Sequence, residues 1–183
     1  MPERTKQAIV SAFNRLIAKA EIEKITTQKI AAEAGVSKAT FYRYFKDKYD
    51  VLNYNYQALL DSAVEQCDNY RDLFRLLYSH ARDAWTDFRR AFDTTGVNSF
   101  ESFVYSYSRS VVCAITAQNR GGAALTPEEN LQVDVLCWGI SYMYKKWTLG
   151  QYDLDADTAA DALFALMPES LKHLWFTEKE AER

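Results

Sequence analysis

The chain has 183 residues, of which 48% are hydrophobic and 26% charged, with only six Gly and three Pro. That composition can bury a core, is poor in turn-formers, and favours long helices over a many-stranded sheet. The chain has no run of 18 apolar residues and no apolar core behind Met1, Pro2, Glu3 and Arg4, which excludes a membrane span and a signal peptide and predicts a soluble, cytoplasmic protein.

The net charge of −3 is unevenly placed. Residues 1–50 hold ten Lys or Arg against six Asp or Glu, whereas residues 51–183 hold twelve against nineteen. A basic head on an acidic body suits a polyanion bound at one end, although charge alone leaves a merely solvated face equally open.

In chain order, Ile9, Ala12, Phe13, Leu16, Ile17 and Ala20 recur at helical spacing and predict a first helix over roughly residues 3–21. Thr26 is an N-cap for a short helix through Ile30, Ala31 and Ala34, stopped by Gly35, with Val36 turned to the core. Ser37 caps a second helix running from Lys38 to Phe45. Asp47, with Asp50 three residues on, opens a longer one through Val51, Leu52, Leu59, Leu60 and Ala63.

Further on, two helices are predicted over Arg71–His80 and Ala81–Asp93, with a turn around Gly96. Asn98 and Glu101 form a capping-box pattern before a helix reaching about Gln118, and Gly121 and Gly122 mark a loop. Thr126, Pro127 and Glu129 start a strong helix that ends near Leu149 and Gly150. Asp155 opens the last long helix, which Pro168 interrupts near Met167. The result is an all-α chain of about nine helices: a three-helix head over 1–48, joined by a continuous helix to a larger body over 49–183.

Cys67, Cys113 and Cys137 are odd in number and widely spaced, which argues against a disulfide framework. His80 and His173 lack metal-ligand spacing, so no metal is assigned, and no cofactor either. Ser, His and Asp occur without a catalytic signature, a phosphate-cradling Gly loop or a paired-carboxylate motif, so no enzymatic activity is expected.

Function is carried by Thr26–Phe45, which has the layout of a helix-turn-helix: a short helix, a turn containing Gly, and a second helix able to enter a major groove. Spacing alone leaves plain architecture open as well. The second helix presents Lys38, Thr40, Tyr42, Arg43 and Tyr44, while Phe41 and Phe45, four apart, anchor it. The run ITTQKIAAEAGVSKATFYRYFKDKYDVL, from Ile25 to Leu52, resembles the DNA-binding head of the TetR/AcrR family of transcriptional regulators. The resemblance covers about residues 5–55; in the body, Trp147, Gly150 and Tyr152 more loosely resemble a DhaS-like regulatory subgroup.

The resemblance implies that Thr27, Gln28, Ser37, Lys38, Ala39, Thr40, Tyr42, Tyr44 and Lys48 face double-stranded DNA. Gln28 and Lys38 suit base edges, since Gln pairs with adenine and Lys with guanine acceptors; Thr27, Thr40, Tyr42 and Lys48 suit phosphates. The family usually has Gly or Pro at Ala39 and an acidic residue at Tyr49. A regulator of this kind, acting as a repressor on a pseudo-palindromic operator, is the expected function. A partner subunit or coactivator acting through protein contacts is the alternative.

The helix over 127–149 carries two apolar stripes, one of Leu136, Ile140, Met143 and Trp147 and one of Val135, Trp138 and Tyr142. One must meet the protomer's core and the other needs a partner, which a two-fold copy supplies. The dimer interface is assigned to Leu136, Ile140, Met143 and Trp147, with Ala159 and Leu163 of the last long helix; a helix buried on all sides of a monomer stays open. The resemblance implies a small-molecule effector pocket, which Trp85, Phe88, Phe103, Tyr107 and Trp138 are candidates for lining, with ordinary core packing as the competing reading.

Overall fold

A computed structural model describes residues 2–83, 89, 92 and 99–175. Among these residues the chain forms nine α-helices and no strand: α1 (Pro2–Ile17), α2 (Thr27–Glu33), α3 (Lys38–Tyr44), α4 (Lys48–Gln66), α5 (Tyr70–Asp83), α6 (Phe100–Asn119), α7 (Pro127–Thr148), α8 (Ala156–Leu166) and α9 (Glu169–Lys172). A 3-10 turn at Ile22–Lys24 separates α1 from α2.

Most boundaries are written in local capping chemistry. Thr26, Ser37 and Asp155 each accept a hydrogen bond from the backbone N–H three residues on, and Asp47 accepts from Tyr49 and Asp50. These are the donors a helix start leaves unpaired. Thr126 and Glu129 form a reciprocal capping box behind Pro127. Gly35, with φ +67°, supplies the left-handed residue that ends α2 and turns the chain into α3.

Three boundaries differ from the sequence reading. Helix α1 ends at Ile17, and the chain tightens through Ala18–Ala20 before the 3-10 turn. Helix α5 runs unbroken past His80 to Asp83, because the stretch Tyr78–Asp83 contains neither Gly nor Pro to stop it. Helix α6 is capped by Ser99, whose side chain accepts from the Ser102 N–H; Glu101 instead pairs with Lys145 at 2.8 Å, tying α6 to α7. Asn98, the turn at 94–97 and most of the helix expected over 81–93 lie outside the described residues.

The head packs α1 against α2 and α4, and α2 against α3, around Ile9, Phe13, Ile30, Phe41 and Val51. In the body α5 lies against α8, and α6 against α7 and α4. Helix α4 belongs to both, placing Val51 and Leu52 in the head's core and Tyr56 and Leu60 in the body's. Tyr56 makes edge-to-face contacts with Phe100 and Tyr144 and shares a 3.0 Å hydroxyl bond with Ser108.

Candidate nucleic-acid interface

Helix α3 has only seven residues, so its orientation depends on anchors. Phe41 and Phe45 supply them: both are buried, with rings 6.1 Å apart, and Phe45 packs edge-on to Tyr54 of α4 at 5.7 Å. The opposite side of α3 is thereby turned to solvent, where Lys38, Ala39, Tyr42 and Arg43 are exposed and Thr40 and Tyr44 half-exposed. Gln28 is exposed at the start of α2, on the adjoining helix.

These side chains are organised among themselves. The Thr27 and Tyr42 hydroxyls lie 3.1 Å apart, linking the start of α2 to the middle of α3. The Ser37 hydroxyl donates to Thr40 Oγ1 at 2.9 Å while accepting from the Thr40 N–H. The Lys38 ammonium stands 5.8 Å from the Tyr42 ring and the Arg43 guanidinium 5.1 Å from the Tyr44 ring, both within cation–π range. A helix start, two hydroxyl pairs and two ring-supported cations thus share one surface, a pattern suited to phosphate oxygens and groove edges.

Lys48 departs from its expected place. Its ammonium donates to the carbonyls of Ile22 (2.6 Å), Ile25 (3.1 Å) and Glu23 (3.2 Å), so it is turned to the 3-10 turn. An ammonium has three N–H groups, and all three are occupied.

Residues 9–54 match the family described as bacterial regulatory proteins, tetR family. The family match lies in the head, over 46 of the 183 residues. An HTH-type transcriptional regulator of Staphylococcus aureus is 30% identical over 76 residues, which is 42% of this chain and 41% of the relative. The match thus spans about two fifths of that curated relative's length. Among solved structures, the dihydroxyacetone kinase operon activator DhaS superposes with a TM-score of 0.65 at 15% identity, covering 93% of this chain and 98% of that one. The TetR-family repressor QsdR of R. erythropolis superposes with a TM-score of 0.51 at 17% identity, covering 90% and 94%. At such identities the likeness is one of fold, and it extends over the body as well as the TetR-type head.

The body's expected sites are partly redistributed. Leu136, Ile140 and Trp147 are buried within the protomer: Leu136 and Ile140 line a cavity of about 30 Å³ with Leu60, Tyr70 and Ser108, and the Trp147 indole donates to the Tyr78 carbonyl. Ala159 and Leu163 are likewise buried, on a helix that packs against α5, while Met143 is half-buried beside the Tyr152 hydroxyl. The uncovered stripe of α7 is the other one, with Leu131 and Val135 each 66% exposed, Tyr142 48% and Trp138 45%. Two apolar stripes on one helix are equivalent in sequence, and the packing of α5 and α6 decides which is covered.

Of the expected ligand-lining residues, the three that are described do not converge on one cavity. Trp138 stacks on Tyr105 at 4.2 Å on the outer surface, so it lines no interior pocket. Tyr107 stacks with Phe103 and lines an open groove of about 420 Å³ with Asp61 and Glu65. Trp85 and Phe88 lie outside the described residues. The residues that sequence reasoning missed are Tyr70, Tyr78, Tyr144 and Thr148, whose hydroxyls are buried and find no hydrogen-bond partner among the described residues. Burial pushes all three phenols above their ordinary range. Nothing in a single sequence distinguishes them from satisfied core tyrosines.

Proposed function

We propose that the protein is a homodimeric, sequence-specific DNA-binding transcription regulator, acting as a repressor whose operator affinity is set by a small-molecule effector. The observation that carries the reading is the solvent face of α3, where exposed cations and paired hydroxyls stand opposite Phe41 and Phe45, within a segment that matches the TetR family. Gln28 and Lys38 are the base readers; Thr27, Ser37, Thr40, Tyr42 and Tyr44 hold phosphates and fix register.

The uncovered stripe Leu131, Val135, Trp138 and Tyr142 supports dimerisation, since an isolated protomer would hold this apolar row in water. Two heads related by a two-fold axis meet half-sites separated by about one helical turn, roughly 34–36 Å. Repression is the simplest mode, because a dimer seated on a promoter blocks it with no further contact surface.

The effector reading rests on the hydroxyls of Tyr78, Tyr144 and Thr148, which have no partner among the described residues and are grouped where α5 meets α7, adjoining Tyr56 of α4. Each unpaired buried hydroxyl costs about 1–3 kcal/mol, a deficit that a guest accepting those hydrogen bonds would relieve. The guest acts on DNA only if it favours one position of α4 over another.

Selection of bound duplexes from a random DNA pool, followed by mobility shifts across a salt series, tests the proposal. A pseudo-palindromic consensus and an affinity falling steeply with salt are expected. Enrichment of no sequence would end the base-reading claim, and a salt-independent shift would favour the partner-subunit alternative.

A further inference from the structure

The turn between α1 and α2 is held from two sides. The carbonyls of Ile22, Glu23 and Ile25 accept from the Lys48 ammonium of α4, and the intervening Lys24 carbonyl accepts from the Lys29 ammonium of α2 at 3.1 Å. Four consecutive carbonyls thus point at lysines on α2 and α4. Lys48 stands 26 residues from Ile22, so its bonds are tertiary and join the first turn of α4 to the segment that launches the reading hairpin. Ile22 and Ile25 are buried beside them, which fixes the turn from its apolar side as well.

We infer that Lys48 is a positioning residue: a clasp that fixes the head's turn to α4 and so sets the angle at which α2 and α3 are presented. The inference rests on the DNA-binding reading above and departs from the phosphate role that family resemblance assigns to this position. Three donors on three carbonyls leave the ammonium none for an external oxygen. Helix α4 continues to Tyr56 and Leu60 in the body's core, so a displacement there reaches the head through a rigid joint while the clasp holds. With the clasp open, the turn and the hairpin it launches are held to α4 by apolar packing alone, through Val51, Leu52 and the Phe45–Tyr54 contact, and the dimer's preference for one half-site separation weakens.

The test compares full-length wild type with Lys48→Met and Lys48→Arg. In DNA-free protein, hydrogen exchange over residues 22–29 is expected to speed up roughly tenfold in Lys48→Met while residues 56–66 stay as protected as in wild type. Lys48→Arg keeps charge and donors and is expected to fall between, supplying a folded comparison should Lys48→Met lose stability.

The DNA arm uses the palindrome that wild type selects, together with duplexes whose half-site spacing is lengthened or shortened by a base pair or two. Lys48→Met is expected to keep the wild-type salt slope while its preference for the selected spacing falls about fivefold or more, a change that mere loss of stability does not produce. A slope reduced by about 0.9, the signature of one lost phosphate contact, with spacing preference intact would overturn the clasp. Unchanged exchange over 22–29 would overturn it without reference to DNA. Failure of the wild type to select any duplex would instead strike the DNA-binding reading, leaving the exchange measurement to decide the clasp.

Discussion

The head meets most of its polar demands internally, whereas the body leaves several unmet. In the head, Thr26, Ser37 and Asp47 cap helices, Lys29 and Lys48 occupy turn carbonyls, and Arg15 pairs with Glu33 at 2.7 Å. The buried hydroxyls without a partner among the described residues, Tyr70, Tyr78, Tyr144 and Thr148, all belong to the body. The surfaces differ in the same way. Among the described residues the head's exposed large hydrophobic residue is Tyr42, which carries a hydroxyl, while the body exposes the aliphatic Leu131, Val135, Leu154 and Leu166 beside Tyr49, Trp138, Tyr142 and Tyr152. A finished unit with an amphipathic face suits a hydrated polyanion; an unfinished one suits partners that supply what is missing.

The largest expected effect breaks the finished side. Phe41 is fully buried and holds a seven-residue helix, so Phe41→Ala is expected to cost about 3–5 kcal/mol and abolish operator binding. Thermal unfolding followed by circular dichroism should show the head melting first. Retention of full operator affinity would mean that α3 is positioned by something other than its aromatic anchors.

On the body's side, Val135→Glu places a charge in the middle of the uncovered stripe. It is expected to weaken self-association about a hundredfold or more, equivalent to roughly 2.8 kcal/mol, with folding preserved because the position is solvent-exposed in the protomer. Light scattering across a concentration series reads this directly. Wild type that stays monomeric at micromolar concentration would remove the homodimer from the proposal.

Base reading is expected to be a smaller term. Gln28→Ala and Lys38→Ala should each relax discrimination at one base pair by about 1–3 kcal/mol, while Tyr42→Ala weakens binding evenly across sequences. Titration against operator variants separates the two classes. An untouched preference profile in the first pair would move the reading function elsewhere on α3.

The unmet hydroxyls can be tested by removing them. Tyr78→Phe and Tyr144→Phe delete a buried group that has no partner among the described residues and should raise stability by about 1 kcal/mol each in the absence of a guest. A lowered melting temperature would show that an ordered water already satisfies the hydroxyl, and the argument for an effector at that spot would fall with it.

What was legible in the sequence follows the range of the interactions involved. Thr26, Ser37, Asp47, Thr126 and Asp155 could be read as caps because a cap bonds a backbone N–H two or three residues away. The inward pair Phe41 and Phe45 follows from helical spacing alone. Lys48 could not be placed, because its partners sit more than twenty residues back and nothing local separates a clasp from a phosphate ligand. The two stripes of α7 failed for a related reason: periodicity reveals both faces, and only the neighbours α5 and α6 select Leu136 and Ile140 for the core and leave Val135 and Trp138 in water.

The smallest expected effect lies where the body does complete its own polar chemistry. Glu129 takes both arms of the Arg120 guanidinium, at 2.6 and 2.8 Å, and accepts from the Thr126 N–H at 3.0 Å. The Arg120 hydrogen bonds, followed by the Thr126 N–H, bring its carboxyl down to about 2 from an ordinary value of 4.5. A folded-state value below the unfolded one means the stabilisation is complete above about 4.5 and is lost as pH falls through about 2. Glu129→Gln is a clean probe, because Gln also closes a capping box and the substitution removes chiefly the charge. Urea midpoints for the two proteins should therefore differ at pH 7 and draw together as the pH is lowered below 4.5. A gap that stays constant down to pH 3 would assign the stabilisation to the cap geometry and leave the ion pair with no share.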